Sequence, residues 1–324
     1  MNSNEQLPLR ASLTDAERRA AIAERRRSEP KRPRELEDAL NYYLYHPLAW
    51  RLAVLLSYTP ISPNVVSIIG GLHVVAAAWV YGWLWGVLGW GWKAALIGMG
   101  LHMAWHVWDG ADGDLARITG KASPMGEMID GICDYSSHII LYLVLGWTMA
   151  HAVAEPVAYP RTALCWVLTV LAGASHVVQA NHCEVWRRSY QWWVYDKPWL
   201  RNSHAEADAT TRKGIVGAFA DGYLALAGST SAGIAQIDAQ VAAAERSPDY
   251  REQLRIAARA EAPALLGSLK ILGPNPRAIV LGLSMLAGSP KWYFLWQVVV
   301  LNLLLWMSVR SHEATAKRIL RAAA

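Results

Sequence analysis

The sequence predicts an all-α integral membrane protein: six transmembrane helices preceded by an N-terminal interfacial amphipathic helix. Three observations carry that prediction. Hydrophobic residues make up 53% of the 324 residues and charged residues 18%, below the ~25% charge of an average soluble domain. No Asp, Glu, Lys or Arg occurs between Arg51 and Lys93, between Arg161 and Glu184, or between Lys291 and Arg310, and uncharged runs of this length read as bilayer spans. The aromatic content is mostly indole and phenol, with 17 Trp and 13 Tyr against 2 Phe, and amphipathic rings of this kind favour membrane–water interfaces. The same composition excludes intrinsic disorder, a collagen-like repeat and a disulfide scaffold. Cys133, Cys165 and Cys183 all fall in or beside apolar segments, where cysteine packs as a small core residue.

Residues 1–34 form a basic, flexible N-terminal tail containing Arg25, Arg26 and Arg27 in a row. No apolar stretch follows its early basic residues closely enough for a cleavable signal peptide. Ahead of membrane spans and without a recognisable fold, it suits anionic lipid on the cytoplasmic face better than nucleic acid. Residues 35–57 come next. There Leu36, Leu40, Tyr43, Leu44 and Leu48 recur at helical spacing opposite Glu37, Asp38 and Asn41, the pattern of an amphipathic helix lying in the interface. Pro60 and Pro63 end it.

Residues 58–183 carry the first four spans, roughly Pro63–Trp85, Trp90–Trp108, Gly126–Ala150 and Arg161–Cys183. Residues 184–262 read as a cytoplasmic helical elaboration. Its segment from Trp186 to Trp199 suits a membrane surface, and Asn202 to Lys213 reads as a loop. A helix start is signalled by Ser247, Pro248 and the acids after them. Residues 263–310 carry a short fifth span, Pro276–Ser289 extended upstream by Ile271 and Leu272, and a sixth from Lys291 to Ser308; 311–324 form a C-terminal tail. With both termini cytoplasmic, Arg117, Lys121, Arg187, Arg188, Arg277, Arg310 and Lys317 lie inside, and only Lys93, Arg161 and Lys291 fall near the outside.

The informative segment joins the second and third spans. Asp109 and Asp112 share one side of a helix, and Asp130 and Asp134, four apart, share one side of the next. Consecutive antiparallel helices with a short connection bring these carboxylates together at the edge of the hydrocarbon. Gathering like charges there is costly, and a pair of divalent cations would relieve it. An all-oxygen donor set favours Mg²⁺ or Mn²⁺ over Zn²⁺, and two such ions ~3.5–4 Å apart form a clamp for displacement at phosphorus. A solvated acidic loop does not explain Asp130 and Asp134 inside an apolar helix, and the spacing does not fit an EF-hand. A divalent cation carrier is the rival. Against it stand Gly113, which lets a ligand approach the backbone, and Arg117, whose fork of donors suits phosphate.

The pattern Asp109-x2-Asp112-Gly113-x2-Ala116-Arg117-x8-Gly126-x3-Asp130-x3-Asp134 resembles in full the signature of the CDP-alcohol phosphatidyltransferases, with eight fixed positions between residues 109 and 134. The resemblance extends to the N-terminal interfacial helix, to Pro63 and Asn64 opening the first span, and to the six spans. It implies transfer of a substituted phosphate from a CDP-alcohol, in the first place CDP-diacylglycerol, to a small polar alcohol, with release of CMP. It also implies that Asp109, Asp112, Asp130 and Asp134 hold two divalent cations, Mg²⁺ or Mn²⁺, and that Asp134 is the general base. Asp112, Gly113, Ala116, Arg117, Ser123 and Asn64 would contact the CDP moiety, beside membrane lipid at the cytoplasmic edge, in a homodimer without nucleic acid. A close second keeps the chemistry with a soluble CDP-alcohol donor, or with an inositol phosphate or lipid acceptor.

Other polar residues carry two readings each. Arg187, Arg188 and Arg277 either hold the acceptor or anchor the cytoplasmic side. His102 and His106 are expected to face the interior and hydrogen-bond there rather than ligate a metal. His138, one turn past Asp134, either supports it or packs as a polar residue. The tryptophans read as an interface belt with no part in the chemistry.

Overall fold

Every regular element among the described residues is helical, as long apolar runs with few internal prolines require. The computed structural model describes residues 14–28, 33–151, 159–197, 232–244 and 247–323. Its contacts divide the chain into two units, Met1–Pro156 with Met285–Gly288, and Val157–Ser284 with Ser289–Ala324.

The first unit contains α1 (Asp15–Ser28), α2 (His46–Leu56), α3 (Pro63–Trp79), α4 (Trp92–Ile118) and α5 (Pro124–His151). A π-helical turn, Asn41–Tyr45, leads into α2, and another, Val80–Trp85, prolongs α3. The start of α3 follows from its sequence. Ser62 caps it by accepting from the Val65 amide at 3.4 Å, and Pro63 takes the first position, where a missing N–H costs nothing.

Helix α3 is the axis of this unit, packing along both α4 and α5. Two consecutive glycines make that possible. A Cβ on Gly70 would lie 3.3 Å from Cβ of Trp108 on α4, and one on Gly71 would lie 3.4 Å from the Cys133 carbonyl on α5. The two neighbours therefore approach backbone rather than side chain. On the other side of α4, Ala49, Ala53 and Leu56 of α2 close a core with Val66, Ala111, Leu115 and Ile118.

Two expectations change in this unit. Residues 15–28, assigned to a flexible tail, form α1; Ile22 packs against the α2–α4 core, and Arg18 lies over the Tyr58 ring at 4.8 Å. Helix formation there replaces an arm that charge content alone suggested. Glu37, placed on a polar face, is buried beside His46 at 3.0 Å. Ahead of α2 the chain turns inward, and a hydrogen bond with the His46 imidazole makes that burial tolerable.

The second unit contains α6 (Tyr159–Tyr195), α7 (Ala232–Ala243), α8 (Pro248–Ala260), α9 (Ala262–Leu272), α10 (Pro274–Leu286, its last residues counted with the first unit), α11 (Lys291–Leu295) and α12 (Leu301–Ala322). A π-helical turn, Trp296–Val300, joins α11 to α12. Helix α12 packs against α6, α7, α8 and α9. Helix α8 begins where Ser247 and Pro248 announce it. Helix α6 does not stop at Cys183: its 37 residues span ~55 Å at 1.5 Å per residue, more than a bilayer core needs. The aromatic segment after Cys183, expected on a membrane surface, packs inward: Trp186, Tyr190 and Trp193 are buried, and Trp193 Nε1 donates to Asp238 at 2.7 Å. The fifth span does not run continuously from Ile271, because Gly273 takes an extended backbone between α9 and α10. The expected loop Asn202–Lys213 lies outside the described residues.

Among the described residues, four helices are long and apolar enough to cross a membrane: Pro63–Trp85, Met125–His151, Arg161–Tyr195 and Lys291–Ala322. Their outward faces carry Ile68, Leu72, Ile139, Leu143, Leu164, Val170, Leu303 and Trp306, all exposed, far more apolar surface than a soluble protein leaves open. Helix α4, expected as a span over Trp90–Trp108, is not among the four; His102, His106 and Asp109 interrupt its apolar run.

Candidate active site

Helices α4 and α5 deliver the aspartates, and α3 sets their meeting point. Carboxylate oxygens of Asp109, Asp130 and Asp134 come within 4.8 Å of one another. Asp112 joins them: its carboxylate lies within hydrogen-bonding reach of Asp130, as that of Asp109 does of Asp134. The result is two close carboxylate pairs, each drawing one member from α4 and one from α5. Asp112 is buried at 6% exposure, and the other three aspartates are half-buried.

Like charges at this separation repel strongly in a poorly solvated site. Either protons or cations must compensate them. The donors are all hard oxygen, with no Cys or His in the cluster, and this chemistry fits a divalent Mg²⁺- or Mn²⁺-type ion. The cluster can therefore hold such a metal.

Protein donors fix one member of each pair. Ser67 Oγ on α3 donates to Asp112 Oδ2 at 2.5 Å, and the Gly113 amide donates to the other oxygen of Asp112. Trp105 Nε1 on α4 donates to Asp134 Oδ1 at 2.9 Å. Sequence reasoning found neither Ser67 nor Trp105. A signal existed for Ser67, which sits three residues past Asn64 on the helix that faces the cluster. Trp105 was placed with the interface belt, and that assignment is corrected: it is buried against the site.

The remaining signature residues surround this centre. Arg117 folds back along α4, its Nη2 on Asp114 Oδ1 at 2.8 Å. A Cβ on Gly113 would lie 3.3 Å from both terminal nitrogens of Arg117, so glycine leaves the guanidinium its seat. At the start of α5, Ser123 Oγ accepts from the Gly126 amide at 3.1 Å. A Cβ on Gly126 would lie 3.4 Å from that oxygen and 3.7 Å from Asn64 Oδ1. Asn64, Ser123 and Gly126 are thus neighbours, and Ala116 is half-buried on α4. His102 and His106 are buried inside the unit as expected, but His102 Nδ1 and His106 Nε2 find no hydrogen-bond partner among the described residues. His138 Nδ1 donates to the backbone carbonyl of Asp134 at 2.8 Å, not to its carboxylate.

Arg187, Arg188 and Arg277 belong to the second unit. Arg187 and Arg188 both pair with Glu184, Arg187 at 2.5 Å. Arg277 is buried at 3% exposure, and its Nη2 donates to Gln179 Oε1 at 3.1 Å. Gln297 and Asn302 complete that polar group around Gln179.

Comparison with known proteins agrees with the geometry. Residues 60–198 match the family model described as CDP-alcohol phosphatidyltransferase. The matched segment contains the four aspartates, Asn64, Ser123, Arg117, Arg187 and Arg188, whereas Arg277 lies beyond it. No curated protein matches the chain. The matched family, together with four membrane-length apolar helices, marks this as an integral membrane protein. Residues 60–198 are thus similar to the CDP-alcohol phosphatidyltransferases, a family of enzymes that transfer substituted phosphate groups.

Proposed function

We propose that the chain moves a phosphatidyl group from CDP-diacylglycerol to a small polar alcohol, releasing CMP, in phospholipid biosynthesis. The observation that carries this reading is the meeting of Asp109, Asp112, Asp130 and Asp134 as two close pairs between α4 and α5. Two pairs offer room for two cations, Mg²⁺ or Mn²⁺. Bound there, such ions would neutralise the donor's diphosphate and stabilise the departing CMP.

The chain's own residues do the rest. Asp134 takes the proton of the acceptor hydroxyl as that oxygen bonds to phosphorus and the bond from phosphorus to the CMP oxygen breaks. Gly113, Ala116 and Arg117 line the CMP side, with the guanidinium free to turn from Asp114 to phosphate. Asn64 and Ser123 close the opposite side around Gly126. In the second unit, Arg277, with Arg187 and Arg188, offers a basic group suited to an anionic acceptor. Its support is a buried guanidinium for which no carboxylate ion pair is present among the described residues, an arrangement that suits an anionic ligand.

The same reading counts α4 and the α9–α10 pair as spans, completing six. It places both termini and the reaction at the cytoplasmic edge, with membrane lipid alongside and two copies as a homodimer. The segment before and through α2 is its interfacial helix. In support, Tyr43, Leu44, Leu48 and Leu55 point outward while Tyr45, Ala49, Ala53 and Leu56 pack inward, leaving an apolar face for acyl chains.

An acceptor screen tests the proposal. Purified protein with Mg²⁺ or Mn²⁺ and labelled CDP-diacylglycerol is offered glycerol phosphate, inositol, inositol phosphate, serine and choline. A labelled lipid and CMP should form with one of them. No product with any acceptor, alongside turnover of a soluble CDP-alcohol, would move the assignment to the alternative donor.

A further inference from the structure

We propose that Trp105 is a positioning residue for Asp134, and that His102, His106 and His138 form the cage that aims its indole. The inference rests on the reading of Asp134 as part of the metal-holding and proton-accepting set.

An indole N–H only donates; it neither titrates nor ligates a cation. The 2.9 Å bond from Trp105 Nε1 to Asp134 Oδ1 therefore occupies one lone pair and leaves the others for an ion. Asp134 needs such a hold. Asp109 and Asp130 are its near neighbours, and repulsion would otherwise turn the carboxylate away from the place where a cation enters.

Three histidines immobilise the ring that provides the bond. His138 stands edge-on to Trp105 with centroids 4.6 Å apart. His106 lies 4.5 Å away and His102 6.0 Å away. His106 is backed in turn by Tyr45, stacked on it at 4.8 Å. Two cage members come from α4 itself, and the third ties the assembly to α5, because His138 Nδ1 donates to the Asp134 backbone carbonyl at 2.8 Å. The indole and the carboxylate it addresses are thereby clamped to each other. Among the described residues, the group placed to hold an ion is Asp109, Asp130 and Asp134.

The test titrates purified full-length Trp105→Phe with Mn²⁺ alone, reading free ion by electron paramagnetic resonance. Phenylalanine keeps a ring in the cage and removes the donor. Residues that orient a metal ligand are worth roughly 10–100-fold in metal affinity, so Mn²⁺ binding should weaken by about that factor while the thermal midpoint stays near wild type. Asp130→Asn, measured alongside, should lose binding. Wild-type affinity in a folded Trp105→Phe, beside loss in Asp130→Asn, overturns the positioning role alone. Wild-type affinity in both overturns the metal reading of the aspartates as well. If Trp105→Phe does not fold, the wild-type protein labelled with nitrogen-15 tryptophan carries the test. An indole N–H resonance must move on adding Mg²⁺ and stay still in Asp130→Asn; no movement in the wild type refutes the proposal.

Discussion

At the scale of single residues, the site separates groups that meet the chemistry from groups that hold them. Asp134→Asn keeps the oxygen that accepts from Trp105 and removes the charge and the proton acceptor. It should abolish CMP release while labelled CDP-diacylglycerol still binds; turnover near wild type would remove Asp134 from its role as base. The aspartates were legible in the sequence because spacing along a helix tells which side chains share a face. Ser67 and Trp105 were not. Their bonds to Asp112 and Asp134 join positions 45 and 29 residues apart, and no local period encodes such a meeting. The same limit explains why tryptophan content suggested a belt: composition does not say which indoles turn inward.

Among the elements, α3 matters more than its plain apolar sequence suggests. Spacing placed the ends of α4 and α5 side by side, as the cluster of Asp109, Asp130 and Asp134 bears out; the structure adds α3 packed along both, with Gly70 toward one and Gly71 toward the other. Gly70→Leu should force α4 outward at Trp108 and at the Asp109 amide, 3.8 Å from the new Cβ position. Overpacking of this kind costs about 1–3 kcal/mol. Thermal unfolding in detergent should show the lower midpoint, and Mn²⁺ affinity should fall with it; an unchanged midpoint would refute the close packing. In the second unit, Arg318 donates to both carboxylate oxygens of Glu261, from Nε at 2.8 Å and Nη2 at 2.7 Å. That bond holds the Glu261 carboxyl below its ordinary value of 4.5. A depressed pKa stabilises the fold above the unfolded value and loses that contribution as pH falls through the folded one. Glu261→Gln should therefore lower the melting midpoint slightly at neutral pH, with the gap to wild type closing below pH 4.5. A gap that persists in acid would contradict the pairing. The helix-start signal at Ser247 and Pro248 was readable because capping is local. The helix at 15–28 and the inward turn of Trp186 and Trp193 were not, since each depends on partners distant in the chain.

For the whole molecule, the three uncharged runs announced the membrane, and each holds apolar sequence of a helix of spanning length; the fourth such helix, Met125–His151, carries Asp130 and Asp134. The signature segment was recognisable because it carries eight fixed positions within 26 residues. The account stands on cations held between α4 and α5 at the diphosphate of a CDP-alcohol. Its most direct measurement is CMP release from CDP-diacylglycerol by the purified protein, with Mg²⁺ or Mn²⁺ added, removed by chelation and restored, in wild type and Asp130→Asn. The account predicts release that stops on chelation, returns with the ion, and is absent from the variant. Release that continues without divalent ion, or survives in Asp130→Asn, would contradict it.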